Sequence, residues 1–422
     1  MRLLHTSDWH IGKVLKGVPR IDEQRKVLAE IVEITRDERV DLAVIAGDLF
    51  ESAVPPPEAQ ALVWSTVLDL RQSGAEVVVI AGNHDNGHLL EALSPLALAA
   101  GVHVLGTPKA PDAGGVITLT TQQDEQALVA CLPFVSQRYV IRAAELMAQD
   151  AAQNAGTYAE RYRAVVAALC ATFSEKTVNL VVAHGYVRGG RLGGGERDAQ
   201  CIEDYWVDAS SFPPSAQYVA LGHLHRSQQL PGGAPIWYSG SPIQIDFGEE
   251  DETKHVLLVD IEAGKPARVT QRPLTSPRHL RTVEGTLAEF RAIADDVGED
   301  LLKVIVTEPA RAGLAADVRD LLPNAIDIRL QRDEEPGRAT AKRSGRSPHE
   351  LFSAYLEETG VEDVRVERLF ASLLDDVVTE QSCDCCDWSS PGSEPSGNTP
   401  NSTSATWTSL RWSGRPVLAS RL

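Results

Sequence analysis

Five short apolar runs in the first 225 residues stop abruptly on Asp, Asn or His, and this pattern constrains the chain more than any other feature. Leu3 to Thr6 runs into Ser7-Asp8-Trp9-His10, Leu42 to Ala46 into Gly47-Asp48, and Val77 to Ala81 into Gly82-Asn83-His84-Asp85. Val178 to Ala183 runs into His184-Gly185, and Tyr218 to Leu221 into Gly222-His223-Leu224-His225. Such β-branched runs between polar turns read as strands, with helical stretches over 22–38, 57–72 and 138–173. Strands alternating with helices give an α/β layered fold with a mixed sheet, and ligands in such folds gather beyond the strand ends. One polar strand end is explained as a cap or turn, but five at corresponding ends converge on one crevice. Asp8, His10, Asp48, Asn83, His184, His223 and His225 are thereby expected to share a site of oxygen and imidazole donors.

Carboxylate, amide oxygen and neutral imidazole without thiolate suit manganese, iron or zinc and disfavour an all-oxygen calcium cage. Seven donors exceed the usual protein complement of one ion. Two ions sharing a bridging carboxylate use them well, and pairs about 3.5–4 Å apart are the usual arrangement for hydrolysing phosphate esters.

In order and rough spacing these motifs resemble the signature of the calcineurin-like metallophosphoesterases. The opening Leu3-Leu4-His5-Thr6-Ser7-Asp8-Trp9-His10-Ile11-Gly12 and the later Tyr238-Ser239-Gly240-Ser241-Pro242 look like the DNA-repair branch, the SbcD family of nuclease subunits. The likeness runs over about residues 1–375. It implies that Asp8, His10, Asp48 and His225 hold one manganese ion and that Asp48, Asn83, His184 and His223 hold the other, with Asp48 bridging. It further implies that His84 stands beside the scissile phosphate and that Asp85 orients and charge-stabilises its imidazole. The expected activity is 3′ to 5′ exonuclease on duplex DNA and endonuclease on hairpins and single strands. Manganese is the expected cofactor, with magnesium as the alternative. The expected partners are DNA, the ATPase SbcC and a second copy of the chain within a heterotetramer, serving DNA repair, replication and recombination.

The remaining chain divides by pattern. Residues 1–270 form the layered metallophosphoesterase unit, and 271–335 repeat a helix and strand pattern that reads as a small α/β cap, which the resemblance implies sits beside the site and sorts single-stranded from duplex DNA. Residues 336–347 read as a charged linker. Two amphipathic helices follow over 348–378, whose apolar stripes dock on the protein's own surface or on a partner; the resemblance implies that Leu351, Phe352, Tyr355, Leu356, Leu369, Phe370 and Leu373 bind SbcC. From 379 to 422 the composition turns to Ser, Thr, Pro, Gly and Asn, as in a disordered tail, and Cys383, Cys385 and Cys386 there lack a local fourth zinc ligand.

A hydrophobic share of 43% marks a globular chain, and no apolar run approaches the length of a membrane span. The N-terminus lacks the pattern of a signal peptide, so a cytoplasmic, nucleoid-associated location is expected. Cys131, Cys170 and Cys201 sit singly, as reduced thiols do. The formal charge of -19, from 40 basic and 59 acidic side chains, argues on its face against a polyanionic partner. The glycine-rich stretch Gly185 to Gly195 lacks the Lys-Ser or Lys-Thr ending of a P-loop, while Arg188, Arg191 and Arg197 in or beside it are candidates for the DNA backbone. His5, His88, His103, His255, His279 and His349 lack metal-like neighbours, and His5 reads as a bonded core residue. The alternatives are a phosphoesterase for a small nucleotide or phosphoprotein and a non-catalytic scaffold for SbcC.

Overall fold

The computed structural model describes residues 1–120, 125–136, 140, 157–194, 196 and 206–331, together with 352, 355, 356, 365, 366, 369 and 370. The chain begins with β1 (Arg2–Thr6), a hairpin of β2 (Val14–Leu15) and β3 (Val18–Pro19), α1 (Ile21–Asp37) and β4 (Leu42–Ile45). It continues through α2 (Pro57–Gln72), β5 (Glu76–Ile80), α3 (Gly87–Ala99) and β6 (Val102–Leu105). Strands β7 (Val116–Thr120) and β8 (Gln126–Leu132) lead to α4 (Tyr158–Leu169), β9 (Val178–His184) and β10 (Tyr218–Gly222). Strands β11 (Gln228–Leu230), β12 (Ile236–Tyr238), β13 (His255–Asp260) and β14 (Arg268–Pro273) complete this part.

Two six-stranded sheets result, ordered β14-β13-β1-β4-β5-β6 and β11-β12-β10-β9-β8-β7. In the first, β1, β4, β5 and β6 are parallel; in the second, β8, β9, β10 and β12 are. Both sheets are covered on both faces, which is why their central strands are unbroken apolar runs rather than alternating ones. Leu3, Val44, Val78 and Ile80 of the first sheet share one core with Val129, Leu180, Val182 and Ala220 of the second. The opposite faces meet helices: Ala43, Ile45, Val77 and Val79 pack with residues of α1 and α2, and Val181, Ala183, Val219 and Leu221 with residues of α4. The layered fold of mixed β-sheets flanked by helices expected from the sequence is thus two sheets, front to front, between helical layers.

Two helices show how local chemistry sets their ends. Helix α4, the part of the expected 138–173 stretch that follows the break expected at 154–156, starts at a capping box in which Thr157 and Glu160 satisfy each other's backbone amides; Val140 is also helical. Residues 137–139 and 141–156 lie outside the described residues. Helix α3 is not among the expected helices: Pro95 inside it disguises the period, while Asn86 caps it by accepting the Leu89 amide at 3.0 Å.

Beyond β14 the chain forms β15 (Leu280–Gly285), α5 (Leu287–Ile293), β16 (Leu301–Val306), α6 (Leu314–Leu321) and β17 (Ala325–Leu330), a parallel sheet with its own core around Phe290, Val304 and Val318. Side chains of the large unit hold its first residues. Glu23 accepts the Arg278 amide at 2.9 Å, Gln244 the Leu280 amide at 2.6 Å, and Glu250 the Thr282 amide at 2.7 Å. Of the expected helix pair, Phe352 stacks on Phe370 with ring centroids 3.9 Å apart, Leu356 is buried, and Tyr355 and Leu369 are exposed. Leu351 and Leu373, the 336–347 stretch and the tail from 379 lie outside the described residues.

Candidate metal centre

Parallel pairing sets the strand ends level. Thr6 pairs with Ile45 and Ile45 with Val79, so the segments after β1, β4 and β5 leave the first sheet together; Gly222 pairs with His184 in the second. Backbone bonds then carry each ligand segment past its neighbour: the Asp8 amide donates to the Gly47 carbonyl at 2.9 Å and the His10 amide to the Asp48 carbonyl at 3.0 Å. Asp8, His10, Asp48 and His223 all take positive φ, at 53, 47, 52 and 113°. Such values cost non-glycine residues roughly 1–2 kcal/mol each, and strain of this kind gathers at functional sites.

All seven expected donors are buried and meet in one place. Asp48 Oδ2 is 3.6 Å from both His10 Nε2 and His184 Nε2, midway between two groups of donors. On one side, Asp8, His10 and His225 offer ligand atoms within 4.8 Å of one another, and His10 Nε2 faces His225 Nε2 at 3.1 Å. On the other, Asn83 Oδ1 is 2.8 Å from His184 Nε2 and 2.8 Å from His223 Nδ1. His84 also reaches the group of His10 and Asp48.

The donor set can be tested for fit from its hydrogen bonds. His184 Nδ1 lies 2.8 Å from the Ala46 carbonyl, which only accepts, so that nitrogen carries the proton and Nε2 presents a lone pair to the Asn83 oxygen. His225 Nδ1 faces Glu249 Oε1 at 3.2 Å and His10 Nδ1 faces Glu51 Oε2 at 3.1 Å, which turns both Nε2 atoms toward each other. Two acceptors at such distances need a cation or a proton between them, so the residues present fit bound divalent ions.

The charges agree. Burial, then the charge of Asp48, pushes the Asp8 carboxyl well above its ordinary range. Burial would raise Asp48 too, yet the imidazoles of His184, His84 and His10 hold it below that range. Burial lowers His10, His184 and His223, keeping them neutral as ligands must be. His225 departs from them: burial opposes its charge, but the bond to Glu249 and the carboxylates of Glu249, Glu196 and Asp8 raise it to about 9. A proton there competes with metal for the gap between His10 and His225.

Residues 1–227 match the family model of the calcineurin-like phosphoesterases, and 276–360 match the model described as the type 5 capsule protein repressor C-terminal domain. The SbcD component of the SbcCD nuclease from Bacillus subtilis is 35% identical over 291 residues, covering 66% of this chain and 71% of that protein. The chain belongs to the SbcD family of calcineurin-like phosphoesterases. Family members of the same name from Rhodobacter capsulatus, at 34% identity over 70% of this chain and 75% of theirs, and Escherichia coli K12, at 31% over 69% and 73%, extend the likeness. This SbcD-family chain is accordingly a metal-dependent phosphoesterase.

One expected role is corrected. Asp85 does not hold the His84 ring: its carboxylate accepts the amides of Gly82 at 2.8 Å, Phe50 at 3.0 Å and Leu49 at 3.2 Å, stapling the loops after β4 and β5. The Glu51 carbonyl takes His84 Nδ1 at 2.8 Å instead. Burial and then the charge of Asp48 raise Asp85 to about 7. His5 is a bonded core residue, its Nδ1 lying 2.9 Å from the Tyr218 hydroxyl. Arg188 is exposed, 5.4 Å over the Trp206 ring and 3.5 Å from Asp208; Arg191 is exposed with its amide on Gln228. Arg197 lies outside the described residues.

Several supporting residues escape sequence reasoning. Ser7 donates to Asp8 and meets the Ser239 hydroxyl at 2.7 Å, giving the Tyr-Ser-Gly-Ser-Pro motif a place behind the first ligand. Glu249 and Lys254 sit in an acidic stretch, Glu249-Glu250-Asp251-Glu252-Thr253-Lys254, whose composition signals a solvated loop.

Proposed function

We propose that the chain is a manganese-dependent DNA nuclease subunit, cutting duplex ends from 3′ to 5′ and opening hairpins and single strands, in complex with the ATPase SbcC. The observation that carries this reading is the shared position of Asp48 Oδ2 between two groups of buried donors. Asp8, His10, Asp48 and His225 would hold one ion and Asp48, Asn83, His184 and His223 the other. Manganese suits a set of carboxylate, amide and imidazole donors. The chemistry that two dications would supply there is an activated water and charge stabilisation of the entering and leaving oxygens of an in-line displacement.

The residues themselves do the rest. Asp48 Oδ1 accepts the His84 amide at 2.8 Å and Oδ2 would be left for the ions, so one carboxylate would tie the metals to the backbone of the catalytic imidazole. With Nδ1 on the Glu51 carbonyl, His84 can turn Nε2 to the phosphate and supply the proton the leaving sugar oxygen needs. Phe134 stacks on His223 and meets His184 edge-on, an apolar wall that keeps these rings in place.

The relatives' names speak of a nuclease and of an SbcCD complex, which supports SbcC as partner and DNA as substrate. A paired arrangement of two copies is supported by α3, where Leu89, Leu96 and Leu98 are exposed, and by exposed Leu68 of α2. No helix among the described residues is long and apolar enough to cross a membrane, in keeping with a cytoplasmic, nucleoid-associated role. At a charge of -19 the isolated chain should hold DNA weakly, with metal and SbcC supplying much of the attraction.

The test is cleavage of a hairpin and a linear duplex by the purified chain, with and without SbcC and ATP, across manganese, magnesium and zinc. Hydrolysis of a chromogenic monoester without any DNA cleavage, even with SbcC, ATP and manganese present, would point to a small-substrate phosphoesterase instead.

A further inference from the structure

His225 is held from three sides, by Glu249, Glu196 and Lys254. Its Nδ1 lies 3.2 Å from Glu249 Oε1, its amide donates to Glu196 Oε1 at 3.1 Å, and its carbonyl accepts from Lys254 Nζ at 3.0 Å. Glu249 is fully buried; its second oxygen accepts from Lys254 Nζ at 2.6 Å and from the Ile245 amide at 3.1 Å. Lys254, 5% exposed, also donates to Ser241 Oγ at 3.1 Å. The glycine-rich loop closes over this pair: a Cβ on Gly193 would stand 3.1 Å from Glu249 Oε1 and 3.2 Å from the His225 Cβ. That is a physical reason for glycine at this place.

A buried ion pair is a poor way to stabilise a fold, because desolvation offsets most of its attraction and well-packed apolar side chains of similar volume often do better. What apolar residues cannot do is choose an imidazole tautomer. A carboxylate at Nδ1 fixes the proton there and leaves Nε2 as the ligand atom, and such outer partners raise ligand basicity and fix ring orientation.

We propose that Glu249, held in place by Lys254, is a positioning residue that aims His225 Nε2 at the donor set of Asp8 and His10 and so sets the affinity of that one ion. The proposal rests on the two-ion reading given above. It makes the two sites unequal in their support: His225 depends on a charged side chain, whereas His184 takes its orientation from the Ala46 carbonyl at 2.8 Å, which no side-chain substitution removes.

The test uses the full chain, stripped of metal and titrated with manganese by calorimetry, as wild type and as Glu249→Gln with Lys254→Met, so that no charge is left buried alone. The expected result is that one of two ions binds roughly ten- to a hundred-fold more weakly in the double variant while the other is unchanged. Above pH 9, where the wild-type ring is neutral, the histidine ¹⁵N spectrum of the metal-free chain should show the Nδ1–H tautomer of His225 in wild type and its loss in the double variant. Wild type binding fewer than two ions would refute the two-ion reading itself. Two ions bound by wild type, with both affinities unchanged in the variant, would overturn the role of Glu249 and leave that reading intact. Equal weakening of both ions, the mark of a merely structural role, would overturn it as well. Should the double variant fail to fold, Glu249→Asp keeps the pair with Lys254 but withdraws the carboxylate from His225 by one methylene; weakening confined to one ion supports the proposal, and any other pattern sinks it.

Discussion

Gly47 is the residue at which fold and site can be separated by experiment. Its φ is +93°, and a Cβ there would overlap His184 Nδ1 and lie 2.9 Å from the Gly82 Cα and N. Gly17 offers a matched control, with φ of +83° and nothing within 4 Å of its would-be Cβ. Gly17→Ala should therefore lose only the backbone preference, about 1–2 kcal/mol. Gly47→Ala should lose this and about 1–3 kcal/mol more for the overlap. Relief of that overlap drives the His184 ring back by roughly 1 Å, a displacement that can cost on the order of 10²-fold in rate. Urea unfolding of both metal-free variants gives the stabilities, and manganese-dependent hydrolysis of bis(4-nitrophenyl) phosphate gives the activities. Equal stability losses in the two variants, with full hydrolysis by Gly47→Ala, would refute the argument that β4 and β9 share a space only glycine leaves open.

Three further outcomes are expected. His84→Ala should lower DNA cleavage by roughly 10²- to 10⁴-fold while calorimetry still finds both manganese ions, and cleavage at an undiminished rate would remove His84 from its role. Asp48→Ala takes away the shared ligand, so thermal unfolding should show no stabilisation by manganese, where wild type gains about 2.7 kcal/mol at a hundred times its dissociation constant. Burial lowers His5 to about 3, whereas an unfolded histidine titrates near 6.5. The unfolded chain thus binds the extra proton between these values, and the stability His5 contributes above 6.5 is lost as pH falls toward 3, at about 1.4 kcal/mol per pH unit. His5→Gln should flatten that limb in a pH series of urea unfolding done in chelator, and an unaltered slope would contradict the assignment.

The donors are legible because each lies directly after a strand whose apolar run is visible in the sequence, and parallel strands put their ends on one side. Which strands share a sheet is not, since β9 and β10 read the same whether they extend the first sheet or face it. What the sequence hides is the support. Asp85 sits next to His84 in the chain, but its carboxylate turns back to the amides of Gly82, Leu49 and Phe50, a choice made by loop geometry rather than by neighbourhood. Glu51 serves His84 through its carbonyl, an atom every residue has, and so leaves no compositional trace. Glu249 and Lys254 look like solvent-facing charges until the 3₁₀ turn at Phe247–Glu249 and strand β13 bring them together behind His225.

The level strand ends have a consequence for how the chain reaches its native state. His184 pairs with Gly222, and a slip of one residue along β9 would send the imidazole to the opposite face of the sheet. Chains with β9 or β10 out of register would lack part of the donor set and could not bind both ions. Metal supplied during refolding would then act as a proofreader, pulling correctly registered molecules out of the mixture and leaving the others open to exchange or degradation.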